Sequence, residues 1–247
     1  MTLIEFKNVS KSFGRKKVLD RVSLSIQKGE TITIMGGSGT GKSVFLKLLL
    51  GVIYPESGEI FFKGEDVTRM SEDQLVKMRK QIGMLFQGAA LFDSLSVAEN
   101  IAYPLREHFD YTEAELSKII AEKLQMVGLS GIEKMHPSEL SGGMKKRVGL
   151  ARAIATDPEV ILYDEPTTGL DPANTNRINR LIQELQGQLK VTSVVVTHDM
   201  ESAFTVANRI ALLSKQHFVY IGTKEDAAKS ADPVVQAFIH GELEGER

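Results

Sequence analysis

The chain has 247 residues, which suffices for one large domain or two small ones with a real hydrophobic core. Its 30 lysines and arginines nearly balance 32 aspartates and glutamates, so the totals lack the basic excess typical of proteins that bind nucleic acid. The lack of cysteine excludes disulfides and thiolate metal sites. No stretch has the roughly 18 apolar residues of a membrane span or the core of a signal peptide, so we expect a cytosolic chain that reaches a membrane only through a partner.

The N-terminal third alternates strands, glycine-rich turns and one helix. The segment from Leu3 to Ile26 alternates apolar and polar residues on both sides of Gly14, which predicts an antiparallel pair of strands. A further strand, ETITIMG, ends at a cluster of glycines, and SVFLKLLLGV follows with helical periodicity. SGEIFFKG then predicts a short strand or hairpin.

The pattern becomes helical from about Ser94 to Thr156. Within it, Thr112 and Glu115 form a capping box for a helix that should stop at Gly128. The strands PEVILYDEP and VTSVVVTHDM follow, separated by the helix NRINRLIQELQG, and then the helix MESAFTVAN and the strands RIALLS and FVYIG. Strands rich in Val and Ile that alternate with helices predict an α/β fold with a mainly parallel sheet.

The glycine cluster fits the pattern G-x-x-x-x-G-K-[ST], between a strand and a helix. Glycines let bare backbone amides wrap a phosphate chain, and the start of the helix directs N–H groups at the same phosphates. Lys42 would reach the β and γ phosphates of a nucleotide, and the Ser43 hydroxyl would hold Mg²⁺. A structural glycine-rich turn is the alternative. The predicted nucleotide-binding residues are Gly36, Gly37, Ser38, Gly39, Thr40, Gly41, Lys42 and Ser43.

Two later strands end in polar residues, where open α/β sheets bind ligands. Asp164 would organise Mg²⁺, and Glu165 would polarise the attacking water as general base. The alternative is an acidic pair that only caps the next helix. His198 ends another buried strand. A lone histidine is more often structural than catalytic, but this position favours contact with the γ-phosphate.

A second candidate anion site lies in LSGGMKKR. Ser141 is placed to cap a helix that starts with two glycines. Lys145, Lys146 and Arg147 then fall in its first turns, which the helix dipole disfavours unless something negative arrives. The alternative is an ordinary capped helix with a solvated basic face. If both sites grip the same ATP, the second has to come from another copy of the chain.

Together these motifs resemble the ATP-binding cassette (ABC) ATPases, in family order and over nearly the whole chain. The resemblance implies a homodimer in which Ser141, Gly142 and Gly143 of one chain close over ATP held by the P-loop of the other. It also implies that Asp171 lies across that interface, that Gln87 contacts Mg²⁺ and water, and that Phe13 stacks on adenine. Packing of the Phe13 ring within its own hairpin is the alternative.

The resemblance further implies a P-loop NTPase core with an N-terminal antiparallel β subdomain and an inserted helical subdomain. We expect an ABC ATPase domain over residues 1–241, with the helical subdomain at roughly 88–157, and a short acidic tail at 242–247. In transporter members a permease docks near Gln87 to Leu95. The apolar residues there are therefore either subdomain core or docking surface: Ala89, Ala90, Leu91, Phe92 and Leu95.

Met144 after the signature glycines, together with QGAALFDSLSVAENIAYPLREH, is similar to the ATPase subunits of Mla/Mce-type lipid-trafficking systems. That branch implies ATP and Mg²⁺ as cofactors, a lipid substrate, an integral-membrane permease, a small STAS-like regulatory subunit and a place at the cytoplasmic face of the inner membrane. One alternative is a soluble ABC ATPase that acts on a protein assembly, as iron–sulfur assembly factors do. A non-catalytic nucleotide sensor is disfavoured because the catalytic motifs are intact.

Overall fold

The computed structural model describes residues 1–239 and divides the chain into two compact units. The first unit combines Met1–Val76 with the chain from Val194 onward, and the second is Lys77–Ser193. The predicted acidic tail at 242–247 lies outside the described residues.

The described residues contain ten strands and nine α-helices. The strands are β1 (Thr2–Phe13), β2 (Lys16–Gln27), β3 (Thr31–Met35), β4 (Ser57–Phe62), β5 (Glu65–Asp66), β6 (Ile82–Leu85), β7 (Val160–Asp164), β8 (Thr192–Thr197), β9 (Arg209–Ser214) and β10 (His217–Thr223). The helices are α1 (Lys42–Leu49), α2 (Glu72–Arg79), α3 (Val97–His108), α4 (Glu113–Met126), α5 (Gly142–Ala153), α6 (Pro172–Leu189), α7 (Met200–Val206), α8 (Lys224–Lys229) and α9 (Pro233–Ile239). Within residues 1–239, no helix is both long and apolar enough to span a bilayer.

The antiparallel pair expected at the N-terminus is present in the first unit. β1 and β2 pair in a register that places Phe13 opposite Lys16, and Gly14 makes the turn at φ +59°. The other edge of β1 pairs with β4, so the four-stranded sheet has the order β2-β1-β4-β5. From helix α1, the ring of Phe45 stacks on Phe6 with 3.9 Å between ring centroids.

The remaining strands of the first unit include both parallel and antiparallel pairs. β9 pairs in parallel with β3, with Ile34 opposite Ala211, and antiparallel with β10. Val235 and Phe238 of α9 are buried in the cluster that covers these strands. The end of α9 is therefore anchored in the core of the first unit.

In the second unit, β6 and β7 pair in parallel, and α3, α4 and α5 lie between them in the chain. The predicted capping box at the start of α4 is confirmed, because the Thr112 hydroxyl accepts from the amide of Glu115 while the Glu115 carboxylate accepts from the amide of Thr112. Gly128 follows this helix at φ +65°, as the predicted stop requires.

The elements that were not predicted from the apolar pattern include α2, β6, α8 and α9. Helix α2 buries only Leu75 and Met78, so its periodicity is weak. Strand β6 contains Gly83, where an added Cβ would lie 2.1 Å from the Ala153 carbonyl oxygen. The glycine therefore reflects close packing of α5 on the strand.

Candidate functional site

The glycine-rich loop joins β3 to α1, as predicted, and two of its glycines are required by the local geometry. A Cβ at Gly36 would lie 2.6 Å from the carbonyl oxygen of Leu213. Gly41 has φ +109°, and a Cβ there would lie 2.7 Å from a methyl group of Val18. Gly41 is also the N-cap of α1 and contributes no side-chain hydrogen bond to the helix end. The loop therefore keeps its backbone close to the core and its helix start free of a capping side chain.

Lys42 folds back along this loop and is only 6% exposed. Its ammonium group donates to the carbonyl oxygens of Gly36 at 2.8 Å and Gly37 at 2.9 Å. The Thr40 hydroxyl also donates to the Gly37 carbonyl, at 2.9 Å. Ser43 is half-buried in the first turn of α1. The loop thus holds a cation at the start of a helix, which is an arrangement suited to an anion.

Two other predicted residues lie in the first unit. Phe13 ends β1 with half of its surface exposed, and the Lys11 ammonium lies 5.3 Å from the ring centroid. The ring is therefore not packed away inside its own hairpin. His198 directly follows β8 and is exposed, while Asp199 caps α7 by accepting from the Ser202 amide at 3.2 Å.

The acidic pair lies in the second unit, at the end of β7. Asp164 is half-buried, whereas Glu165 is buried and has a left-handed backbone with φ +48°. The Thr168 hydroxyl donates to the Glu165 carboxylate at 3.2 Å. The cap of the next helix, α6, is Asp171. The alternative in which Asp164 and Glu165 serve only to cap that helix is therefore wrong.

Asn174, which the sequence analysis missed, contacts both Asp171 and the signature segment, residues 140–144. Ser141 caps α5 as predicted, since its hydroxyl accepts from the Met144 amide at 3.3 Å. A Cβ at Gly143 would lie 2.4 Å from the side-chain oxygen of Asn174. The Asn174 amide donates to the Asp171 carboxylate at 2.5 Å.

This bond to the Asn174 side chain, with further backbone hydrogen bonds, lowers the pKa of the Asp171 carboxyl. Gly142 is exposed and Gly143 is buried. Asn174 is the third helical residue after the N-cap Asp171. This spacing is visible in the sequence and could have predicted the contact between the two side chains.

The alternative of a solvated basic face on α5 is wrong for two of its three cations, Lys146 and Arg147. Lys146 is 5% exposed and donates to the carbonyl oxygens of Gln87 and Glu165, the latter at 3.1 Å. Arg147 is also buried and donates to the Gly128 carbonyl at 2.9 Å. Burial lowers the pKa of both side chains. Carbonyl groups of the chain itself, rather than solvent, surround these cations.

The segment after β6 divides the apolar residues that were assigned either to the core or to a docking surface. Ala89 is buried, Phe92 is 44% exposed, and the Phe92 and Tyr103 rings lie 4.9 Å apart. Leu91 and Leu95 are half-buried, whereas Gln87 and Ala90 are exposed. Ala89 therefore belongs to the core, whereas Ala90 and Phe92 stay exposed and their docking role stays a prediction.

A groove of about 450 Å³ lies beside this segment in the second unit. Its lining includes the aromatic residues Phe86, Phe92 and Tyr103 and the polar residues Arg79 and His108. The groove is large enough to receive a short segment of another protein.

The model of the family described as "ABC transporter" matches residues 19–168. The Haemophilus influenzae protein named intermembrane phospholipid transport system ATP-binding protein MlaF is 44% identical over 243 residues, covering 98% of this chain and 92% of its own length. A Mycobacterium leprae protein named probable ribonucleotide transport ATP-binding protein mkl is 45% identical over 238 residues, covering 96% of this chain and 69% of its own.

Among solved structures, the chain is similar to the dimeric ATP-binding cassette MJ0796 in a post-hydrolysis state bound to ADP and Pi. The TM-score is 0.82 with 33% identity, and the match covers 90% of this chain and 99% of the other. The predicted fold class is thereby confirmed.

Proposed function

The chain belongs to the ABC transporter family, and on that premise we propose that it is the ATP-hydrolysing subunit of a transporter that moves phospholipid or a related lipid across or out of the inner membrane. The observation that carries this proposal is the 44% identity to MlaF over 98% of this chain and 92% of that protein. ATP binding and hydrolysis are the activity of the family. The soluble alternative, an ATPase of an iron–sulfur or other protein assembly, has no comparable support.

The relatives differ in the substrate that their names give. The mkl protein is named for ribonucleotide transport, but this chain spans only 69% of its length, against 92% of MlaF. Lipid transport is therefore the better supported substrate class, and ribonucleotide transport becomes an outcome that the experiment below distinguishes.

The residues near the phosphates take distinct roles in this proposal. Lys42 binds the β and γ phosphates, and Glu165 removes a proton from the attacking water. The hydroxyl of Ser43, the carboxylate of Asp164 and the side-chain oxygen of Gln87 are hard donors that suit Mg²⁺, which would neutralise phosphate charge when bound. Within residues 1–239, no group of three or more His, Cys, Asp or Glu side chains could hold a metal. The ion would therefore depend on the nucleotide for further ligands.

The second half of each site comes from another copy of the chain. Ser141, Gly142 and Gly143 of one protomer would close over ATP bound by its partner, with Asp171 at the interface. The dimeric form of MJ0796 supports this arrangement. His198 would contact the γ-phosphate, and the half-exposed ring of Phe13 would stack on adenine.

The groove beside Phe92 is the proposed docking site of the permease. The exposed aromatic side chains that line the groove suit a short apolar helix, and Arg79 and His108, which also line it, offer polar contacts. In this proposal residues 88–157 act as the helical subdomain of a 1–241 ATPase domain, and the chain lies at the cytoplasmic face of the inner membrane. A small STAS-like subunit is a further proposed partner.

The test is purification of the tagged chain from detergent-solubilised native membranes, with mass spectrometry of proteins and lipids. We expect an integral-membrane protein and phospholipid to copurify, and the reconstituted complex to move labelled phospholipid between vesicles with ATP. Recovery only from the soluble fraction with a protein assembly would favour the alternative. A membrane complex that retains ribonucleotide and moves no lipid would overturn the proposal that lipid is the transported substrate.

Two matched variants locate the docking surface. Phe92→Asp places a charge in the groove and should abolish recovery of the membrane protein. Tyr111→Asp is the control, because Tyr111 is similarly exposed and also pairs with an aromatic ring, that of Phe109, but does not line the groove. Equal recovery with both variants would contradict docking at this groove.

A further inference from the structure

The amino group of Lys146 lies between two loops that carry proposed site residues. It donates to the backbone carbonyl of Gln87, 59 residues earlier, and to that of Glu165, 19 residues later. Both are main-chain contacts, so they act on the position of each loop rather than on the chemistry of its side chain. All three residues belong to the second unit.

Both loops have strained backbones at the places where α5 holds them. Glu165 has φ +48°, and Ala89 and Ala90 have φ +62° and +47°, values that residues other than glycine rarely adopt. Arg152 of the same helix donates to the carbonyl oxygens of Ala89 and Ala90, each at 2.7 Å. Strained residues persist only where surrounding contacts hold them, and here α5 supplies those contacts.

A comparison with the other buried lysine of this unit shows what is unusual about Lys146. Lys123 is 3% exposed, and its ammonium group pairs with the Asp157 carboxylate at 2.5 Å. Lys146 is buried to a similar degree, but its ammonium group donates to the backbone carbonyls of Gln87 and Glu165, and the charges of Asp164 and Glu165 offset only part of the effect of burial, which still lowers its pKa. Simple packing would be served better by an apolar side chain of similar length.

We propose that Lys146 is a positioning residue for ATP hydrolysis: it fixes the Gln87 backbone relative to the Glu165 backbone, so that the Gln87 side chain and the general base are held in place together. The proposal rests on the ATPase function proposed above. Because Lys146 does not touch the nucleotide in this scheme, its loss should slow the chemical step more than it weakens ATP binding.

The test compares Lys146→Met with Lys123→Met in the complex purified from native membranes. For Lys146→Met we expect kcat to fall about 10- to 100-fold while KM for ATP changes less than about threefold. Lys123→Met should lower the melting temperature and leave kcat of the folded protein unchanged. An unchanged kcat in Lys146→Met, or a loss that only follows the folded fraction, would overturn the proposal.

Two additional measurements keep the proposal testable if Lys146→Met does not fold. Lys146→Arg keeps a cation with several donors and Lys146→Gln keeps a shorter donor, so kcat should fall in the order Lys, Arg, Gln. The losses from Lys146→Gln and Gln87→Ala should also be less than multiplicative in the double variant, because Lys146 acts in part by placing the Gln87 side chain, which Gln87→Ala has already removed. Multiplicative losses or a different order would contradict a positioning role.

The ATPase rate of the wild-type complex distinguishes failure of the proposed function from failure of the positioning role of Lys146. If the wild-type complex hydrolyses no ATP, the proposed function fails. If it hydrolyses ATP and the Lys146 variants match it, only the positioning role fails.

Discussion

Helices α1 and α5 both begin at glycine-rich segments with lysines nearby, but their first turns are built differently. Helix α1 follows Gly41, which has no side chain to cap it, and Lys42 donates to carbonyls of its own loop. Helix α5 is capped by the Ser141 hydroxyl, and Lys146 donates to two loops distant in sequence. Lys42 thus donates within the loop that precedes its own helix, whereas Lys146 links two loops that are distant from it in sequence.

This difference separates two tasks that the motifs alone do not distinguish. The loop before α1 offers its backbone amides and Lys42 to an anion, so it should govern nucleotide affinity. The polar groups of α5 instead hold the loops of Gln87 and Glu165, and its start packs against Asn174. Substitutions in α5 should therefore lower the rate of ATP hydrolysis more than they lower ATP affinity.

The largest expected effect comes from a variant that leaves both helix starts intact. Glu165→Gln removes the proposed general base, so kcat should fall about 100- to 10,000-fold. Since the starts of α1 and α5 are unchanged, ATP should still bind, and light scattering should detect an ATP-dependent dimer. Turnover at the wild-type rate would mean that Glu165 is not the base, and a monomer with bound ATP would mean that the two helix starts do not meet across a dimer.

A pair of glycine substitutions, one before α1 and one in the first turn of α5, tests whether the two helix starts have different tasks. In Gly36→Ala, the added Cβ would lie 2.6 Å from a backbone carbonyl oxygen that cannot easily move, so ATP affinity should fall at least about tenfold. In Gly143→Ala, the clash is with the movable side chain of Asn174, so affinity should hold while kcat falls about tenfold. Nucleotide titration and single-turnover kinetics on the same preparations give both quantities.

Gly187→Ala is the control for these substitutions. Gly187 lies on the exposed side of α6, and an added Cβ would meet no atom within 4 Å. Activity should therefore equal that of the wild type. If Gly36→Ala and Gly143→Ala lost affinity to the same extent, the division of tasks between α1 and α5 would be wrong.

The parts of the molecule that the sequence predicted are those determined by neighbours in the chain. The fold class, the strand–loop–helix around Lys42, the Ser141 cap and the capping box of Thr112 and Glu115 all depend on short spacings. Such spacings carry their physical reason within a few residues.

The features that were missed depend on contacts between distant segments. The carbonyl partners of Lys146 lie 59 and 19 residues away, so sequence periodicity could only place that cation in an unfavourable first turn. Helix α2 was missed because it buries only two side chains. Asn174 is the exception, since its N-cap spacing from Asp171 was visible in the sequence.

The smallest expected effect concerns Asp171, which reaches the start of α5 through Asn174. Its hydrogen bonds to Asn174 lower its pKa, so the carboxylate stabilises the fold above the unfolded pKa of about 3.9, and this contribution is lost as the pH falls through the lowered value. Asp171→Ala should therefore be slightly less stable than wild type at neutral pH, because solvent screens this exposed group. The difference should narrow as the pH falls from neutral to below the unfolded pKa of about 3.9.

Urea unfolding of wild type, Asp171→Ala and Asp171→Asn across this pH range checks the sign. Asparagine can cap α6 as aspartate does but does not titrate, so Asp171→Asn should stay close to wild type at neutral pH and lack the acid-dependent change. A constant gap between wild type and Asp171→Ala would show that the hydrogen bonds do not depend on ionisation. Asn174 would then be held against Gly143 by packing alone, and the link from Asp171 to the start of α5 would carry no electrostatic part.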